Sequence, residues 1–267
     1  MIGDFARTNV IRGYEVDASR TTPLPVVFSF LEQLRWEWMT DPAWGLQDGL
    51  HDGYFFVVRR QVLELVERPR FGDALHITGT IETVGRSQIV VRHRLSVDGR
   101  PVGHARVTGV WLGPNRRLAR LPDTARELGR LQAAQDGPFG ELPHPGPAEA
   151  DASPSFIAAP RQLFAPRGLD LEPDYTFEAE GSRELVVRPS DCDVFEHVNA
   201  SSCLQFCDEV RKLEGLGGLT NRAGIDYRNE ALAGDRLAVD WRRSGDGLVF
   251  RIRRGDEALC AAVVAPA

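Results

Sequence analysis

The feature that most constrains this chain is an internal repeat in which a helical segment is followed by a strand, a Gly-Asp turn and a run of alternating strands. Residues 57–82 pass from Val57-Val58-Arg59-Arg60 through Arg70-Phe71-Gly72-Asp73-Ala74-Leu75 into an alternating stretch. Residues 224–243 do the same, from Gly224-Ile225-Asp226-Tyr227-Arg228 through Ala233-Gly234-Asp235-Arg236-Leu237. A supersecondary unit met twice sets the architecture before any single motif does. After the first turn Ile89, Val91, His93, Leu95 and Val97 alternate with Val90, Arg92, Arg94 and Ser96, the period of a strand with one buried face. After the second, Leu237, Val239 and Trp241 alternate in the same way, as do Leu248, Phe250 and Ile252. Asp98-Gly99, Gly245-Asp246-Gly247 and Gly255-Asp256 predict hairpin turns between these strands.

One helix precedes each strand run. Thr21-Thr22 can cap the first, which starts near Pro23-Leu24-Pro25 because proline is tolerated in a first turn. It carries Val26, Val27, Phe28, Phe30, Leu31, Leu34, Trp36 and Trp38, and a helix apolar on nearly all sides must be buried on nearly all sides. The second, roughly Asn199 to Leu213, carries Leu204, Phe206, Cys207, Val210 and Leu213. A sandwich would leave these helices unused, and a doubly wound fold would alternate helix with strand. The expectation is therefore an α+β tandem (double) hot-dog fold, each repeat a long helix wrapped by a curved antiparallel sheet. The repeats span 1–133 and 175–267. Between them, the Pro/Gly-dense stretch 134–174 reads as a linker.

A net charge of -6 argues against nucleic acid as a partner, since no basic balance exists to track phosphates. The basic clusters Arg59-Arg60 and Arg116-Arg117-Leu118-Ala119-Arg120 are either a solvated face or a docking patch for an acidic carrier protein. Cys192, Cys203, Cys207 and Cys260 form neither a zinc ligand set nor a disulfide framework, so neither metal nor cofactor is expected. No apolar run spans a bilayer, and Met1 to Arg7 does not read as a secretory signal. The expectation is a cytoplasmic protein without membrane contact. Hot-dog units often pair by sheet edges, which leaves a homodimer open.

Four ordered stretches turn the fold expectation into a functional one. Ile11-Arg12-Gly13-Tyr14-Glu15-Val16 with Arg20-Thr21 resembles the opening of the first repeat in plant and bacterial acyl-acyl-carrier-protein thioesterases. Val110-Trp111-Leu112 with Asn115-Arg116-Arg117-Leu118-Ala119-Arg120-Leu121-Pro122 resembles the end of that repeat. Arg188-Pro189-Ser190-Asp191-Cys192-Asp193 leading to His197-Val198-Asn199 is similar to the catalytic segment, and Tyr227-Arg228-Asn229-Glu230 to the strand that supplies a further catalytic residue. The resemblance implies hydrolysis of an acyl thioester, carried on acyl carrier protein or coenzyme A, to a free acid in fatty-acid or polyketide metabolism. It carries the catalytic roles to Asp193, His197 and Glu230. Phe195, Val198, Asn199, Trp36 and Trp38 are the expected substrate contacts, and the resemblance implies that Asp41 to Gly49 is an insertion that shapes the acyl pocket.

That chemistry needs a water or carboxylate nucleophile and a polarised carbonyl. His197 suits acid–base work near neutral pH, Glu230 could act as general base, and Asp193 could orient or attack. Unpaired N–H groups opening the second helix could hold an oxyanion. Each residue also has a plainer reading: Asp193 and Asn199 as caps, His197 as a structural histidine, Glu230 as a solvated carboxylate and the tryptophans as core. In the first repeat Asp17 stands at the place of Asp193 and Thr21 at that of His197, so that repeat reads as scaffold. Phe195 departs from the family, which has asparagine there. A phenyl ring cannot hold a water, so the alternative stays open: binding, dehydrating or cyclising a carrier-tethered acyl chain without hydrolysis.

Overall fold

The computed structural model describes residues 5–135 and 173–266. The first repeat contributes strands β1 (Phe5–Val10), β2 (Phe55–Leu65), β3 (Ala74–Val84), β4 (Gln88–Val97) and β5 (Arg100–Leu112). The second contributes β6 (Gly181–Val186), β7 (Arg222–Tyr227), β8 (Arg236–Ser244), β9 (Gly247–Arg254) and β10 (Glu257–Ala265). All ten join one antiparallel sheet in the order β1-β3-β4-β5-β2-β7-β10-β9-β8-β6. Read from its outer edge inward, each half has the same order. The halves meet where β2 pairs with β7, with Gln61 opposite Ile225 and Leu63 opposite Ala223. This is the double hot-dog fold.

The long helices are α1 (Leu24–Thr40) and, in the second repeat, α4 (Ala200–Leu213). They pack on one another and on the sheet, and Val27, Leu31, Leu34, Leu204, Phe206, Ile225 and Phe250 share one core. Burying this apolar surface supplies the main stabilisation of the fold. Ile89, Val91, His93, Leu95 and Val97 are buried as their alternation requires. The Gly-Asp turns match in conformation, with Gly72 at φ 89° and Gly234 at φ 90°, a region only glycine enters without strain. In both, the glycine N–H donates to the residue that leads into the following segment, Ile11 in one repeat and Val187 in the other.

One local expectation is corrected, and two elements are added. Thr21 and Thr22 do not cap α1: Pro23 is the N-cap residue, with no side-chain hydrogen bond. Thr21 instead bridges to Arg70, and the Thr22 N–H donates to the Pro69 carbonyl. The insertion folds as a turn over Pro42–Trp44 and a short helix α2 (Gln47–His51), and it buries Trp44 and Leu46 in a second core with Trp111. A further helix, α3 (Asp123–Gln135), lies on β3, and the Gln132 side chain accepts the Ile81 N–H where the β3–β4 register slips. This helix runs two residues past the expected end of the first repeat. The linker over 134–174 falls almost wholly outside the described residues. Among those residues, no helix is long and apolar enough to cross a membrane.

Candidate functional site

The segment before α4 is a tight loop. Asp193 Oδ1 accepts the Phe195 N–H at 2.9 Å, the Asp193 carbonyl accepts the Glu196 N–H at 3.0 Å, and the Asp193 N–H donates to the His197 carbonyl at 2.8 Å. Glu196 takes a left-handed conformation, φ 64°. The first repeat reproduces this bond for bond. Asp17 Oδ1 accepts the Ser19 N–H at 2.9 Å, its carbonyl accepts the Arg20 N–H at 2.8 Å, its N–H donates to Thr21, and Arg20 sits at φ 61°. Two loops with one backbone and different side chains assign these bonds of Asp193 to the fold. What differs is what the loop presents: Phe195 for Ser19, and His197 for Thr21.

Beyond the loop, Asn199 caps α4, its Oδ1 accepting the Ser201 N–H at 2.7 Å. Its Nδ2 donates to Glu32 Oε1 of α1 at 2.7 Å. The Ser201 N–H, one of the groups expected to be open for an oxyanion, is thereby occupied. Glu230 lies three residues beyond the end of β7, in the loop to β8 rather than on a strand. That loop is pinned because the N–H groups of Arg228 and Asn229 both donate to the Leu259 carbonyl, at 2.8 and 3.1 Å. Leu259 is the residue at the β9–β10 bulge. The Val198 N–H closes the arrangement on the Ala231 carbonyl at 2.8 Å.

These anchors bring His197 Nε2 to 3.0 Å from Glu230 Oε2. A third group completes the cluster from the other repeat: Arg116 hydrogen-bonds Glu230, and its Nη2 stands 3.2 Å from His197 Nε2. Arg116 sits at φ 59° in the turn after β5, where its N–H donates to the Gly113 carbonyl. Burial lowers the pKa of His197, the Arg116 guanidinium lowers it further, and Asp193 and Glu196 oppose both. The imidazole is therefore held neutral at neutral pH. An unprotonated Nε2 accepts from Arg116, which only donates, and a protonated one donates to the Glu230 carboxylate.

The cluster lines a cavity of about 500 Å³ to which both repeats contribute. Phe195 lines it too, stacked on Trp36 with ring centroids 5.8 Å apart and close to Phe55 at 5.7 Å. Phe56, Val110 and Leu112 continue the apolar wall. Val198 and Asp193 also face this space, whereas Asn199 and Trp38 do not line it. Trp38 is a core residue, 2% exposed and stacked on Phe5. None of the insertion residues lines it either. Arg116, Glu32, Arg35 and Tyr227 line it; the motifs included Arg116 and Tyr227 without giving them a site role, and did not include Glu32 or Arg35. The available signal was Glu32 and Arg35, which stand with Glu37 as the charges on a helix otherwise largely apolar.

No family profile matches the chain, and no curated protein matches it significantly. Solved structures do. The chain is similar to an acyl-ACP thioesterase from Bacteroides thetaiotaomicron at 18% identity and a TM-score of 0.73, over 97% of this chain and 96% of that one. It is similar to a 12:0-ACP thioesterase from Umbellularia californica at 18% identity and 0.71, over 98% and 96%. A putative oleoyl thioesterase from Lactobacillus plantarum aligns at 16% identity and 0.73, over 99% and 98%. These alignments run the length of both chains and establish a common fold.

Proposed function

We propose that this chain is an acyl thioesterase that hydrolyses a thioester on acyl carrier protein or coenzyme A to a free carboxylic acid. The observation that carries this reading is the His197–Glu230 contact at 3.0 Å, in a cavity also lined by Trp36, Phe55 and Phe195. An apolar cavity with a few convergent polar groups is the usual form of a small-ligand site. Two such groups poised for proton transfer give it a reaction. The full-length likeness to acyl-ACP thioesterases supports the same class.

In this reading the acyl chain lies along the aromatic wall with its thioester beside Arg116. A water held by Glu230 and His197 attacks the carbonyl carbon while His197 Nε2 takes its proton. Arg116 donates to the oxyanion that forms, the kind of stabilisation that is often the largest catalytic term. As the C–S bond breaks, the imidazolium returns its proton to the departing thiolate. Asp193 acts by holding the loop that presents Phe195 and His197. Phe195 in place of asparagine fits a role in the acyl wall, leaving water to the charged cluster. Arg59, Arg228 and Arg254 also line the cavity and suit the phosphate of a phosphopantetheine arm.

Thiol release from a panel of acyl-carrier-protein and acyl-coenzyme A thioesters tests this. The wild-type protein is expected to hydrolyse at least one of them. His197→Ala and Glu230→Gln are each expected to lose about 100-fold or more, the usual scale of positioned acid–base catalysis. Retained binding with no thiol release from any thioester would refute hydrolysis and leave a carrier-binding protein.

A further inference from the structure

The two long helices carry the same acid–arginine pair. Glu32 and Arg35 are the ninth and twelfth residues of α1, and Asp208 and Arg211 are the ninth and twelfth of α4. Both arginines are buried, at 2% and 6% exposure. In α4 the pair is closed on itself. Arg211 Nε and Nη2 both donate to Asp208 Oδ1, at 3.1 and 2.7 Å, and Nη1 donates to the Gly218 carbonyl at 2.5 Å. The space beside that pair is only about 10 Å³.

In α1 the pair is open. Glu32 turns to Asn199, accepting from its Nδ2 at 2.7 Å, and forms no ion pair with Arg35. Arg35 Nη2 reaches Gln61 Oε1 at 3.3 Å, while Nη1 has no hydrogen-bond partner. The other polar groups near Arg35 bring it no negative charge. Burial keeps His93 neutral, and burial keeps the Tyr227 phenol protonated. Tyr227 is itself satisfied, donating to the Ala200 carbonyl at 2.7 Å and accepting from Gln61. Desolvation pulls the Arg35 pKa down to about 10, which still leaves it a cation at neutral pH. Glu32, Arg35 and Tyr227 all line the cavity of about 500 Å³.

A buried guanidinium donor without an acceptor is costly. The same helix position in the other repeat shows how this fold satisfies it when no ligand space is present. We propose that Arg35 is a specificity-determining residue that receives a carbonyl oxygen borne on the acyl chain, so that the preferred substrate is an oxoacyl thioester and not the saturated chain of equal length. This rests on the thioesterase reading for its reaction, but not for its recognition. The nearby Glu32 carboxylate favours a neutral acceptor over a second carboxylate. The aromatic wall holds the hydrocarbon, and Arg35 reads the oxygen.

Binding tests this without turnover. Non-hydrolysable acyl-pantetheine thioethers of one length, saturated or with a ketone moved along the chain, are titrated calorimetrically into the full-length protein. At least one oxoacyl analogue is expected to bind tenfold or more tightly than the saturated one. Arg35→Met is expected to bring that ratio to about one, and Arg35→Lys to restore part of it. Saturated binding equal to or tighter than every oxoacyl analogue would overturn the proposal, as would equal weakening of both by Arg35→Met. Should Arg35→Met fail to fold, the wild-type ratio decides alone. A ketone preference without thiol release sinks the thioesterase reading and keeps this one. Hydrolysis of saturated chains with no ketone preference does the reverse.

Discussion

Removing the charge of Arg116 should raise the pKa of His197. The guanidinium Nη2 lies 3.2 Å from His197 Nε2; Arg116 is half exposed and His197 mostly buried, so a water-like dielectric gives the smallest shift to expect. At a dielectric of about 80, two unit charges at that separation repel by roughly 1.3 kcal/mol, equivalent to about one pH unit. Arg116→Met also releases Glu230, whose Oε2 stands 3.0 Å from the same nitrogen and then favours the imidazolium without competition. The two effects share a sign. In the wild type the lowered pKa keeps His197 a neutral base, and activity that needs the base falls only as pH drops through that lowered value. In Arg116→Met the whole kcat/KM profile should drop because the oxyanion donor is lost, and its acid limb should move up by about one pH unit. Proton NMR of the His197 ring across the same range reads the shift without any substrate. An unchanged or lower His197 pKa in Arg116→Met would refute the argument.

Other outcomes follow from the same contacts. Asn199→Ala removes the α4 cap and the bridge to Glu32. It should cost about 1 kcal/mol and lower the thermal midpoint by roughly 2–4 °C, as calorimetry would show. Phe195→Ala strips two aromatic contacts, each worth about 0.5–1.5 kcal/mol. It should raise KM for long acyl chains more than it lowers kcat; the reverse split would argue against a role in the acyl wall. Burial lowers the pKa of His104 from 6.5 to about 4 and also pushes that of His93 well below its usual value. The unfolded chain therefore takes up these protons first. Stability should be full above pH 6.5 and fall as pH drops toward 4, with urea midpoints at stepped pH as the measure. His104→Leu should flatten that fall.

The repeat, the alternating strands and the two long helices were legible in the sequence because each depends on residues close to one another along the chain. Gly72 and Gly234 mark their turns by needing a backbone only glycine adopts freely, and Asn199 marks the start of α4 by capping it. The same locality made the loop at Asp193 visible, and the matching loop at Asp17 shows that its backbone belongs to the fold. What local pattern does not carry is which distant groups share a space. Arg116 lies 81 residues from His197 and 114 from Glu230, so in sequence it reads only as part of a basic run. Trp36 and Trp38 look alike on a helix apolar on nearly all sides, yet the helix rotation puts one in the cavity and the other in the core. Glu32 and Arg35 repeat as Asp208 and Arg211, and only the packed structure separates an open pair from a closed one. Periodicity sets which face of an element is buried. The partners that a buried charge finds are decided where the elements meet.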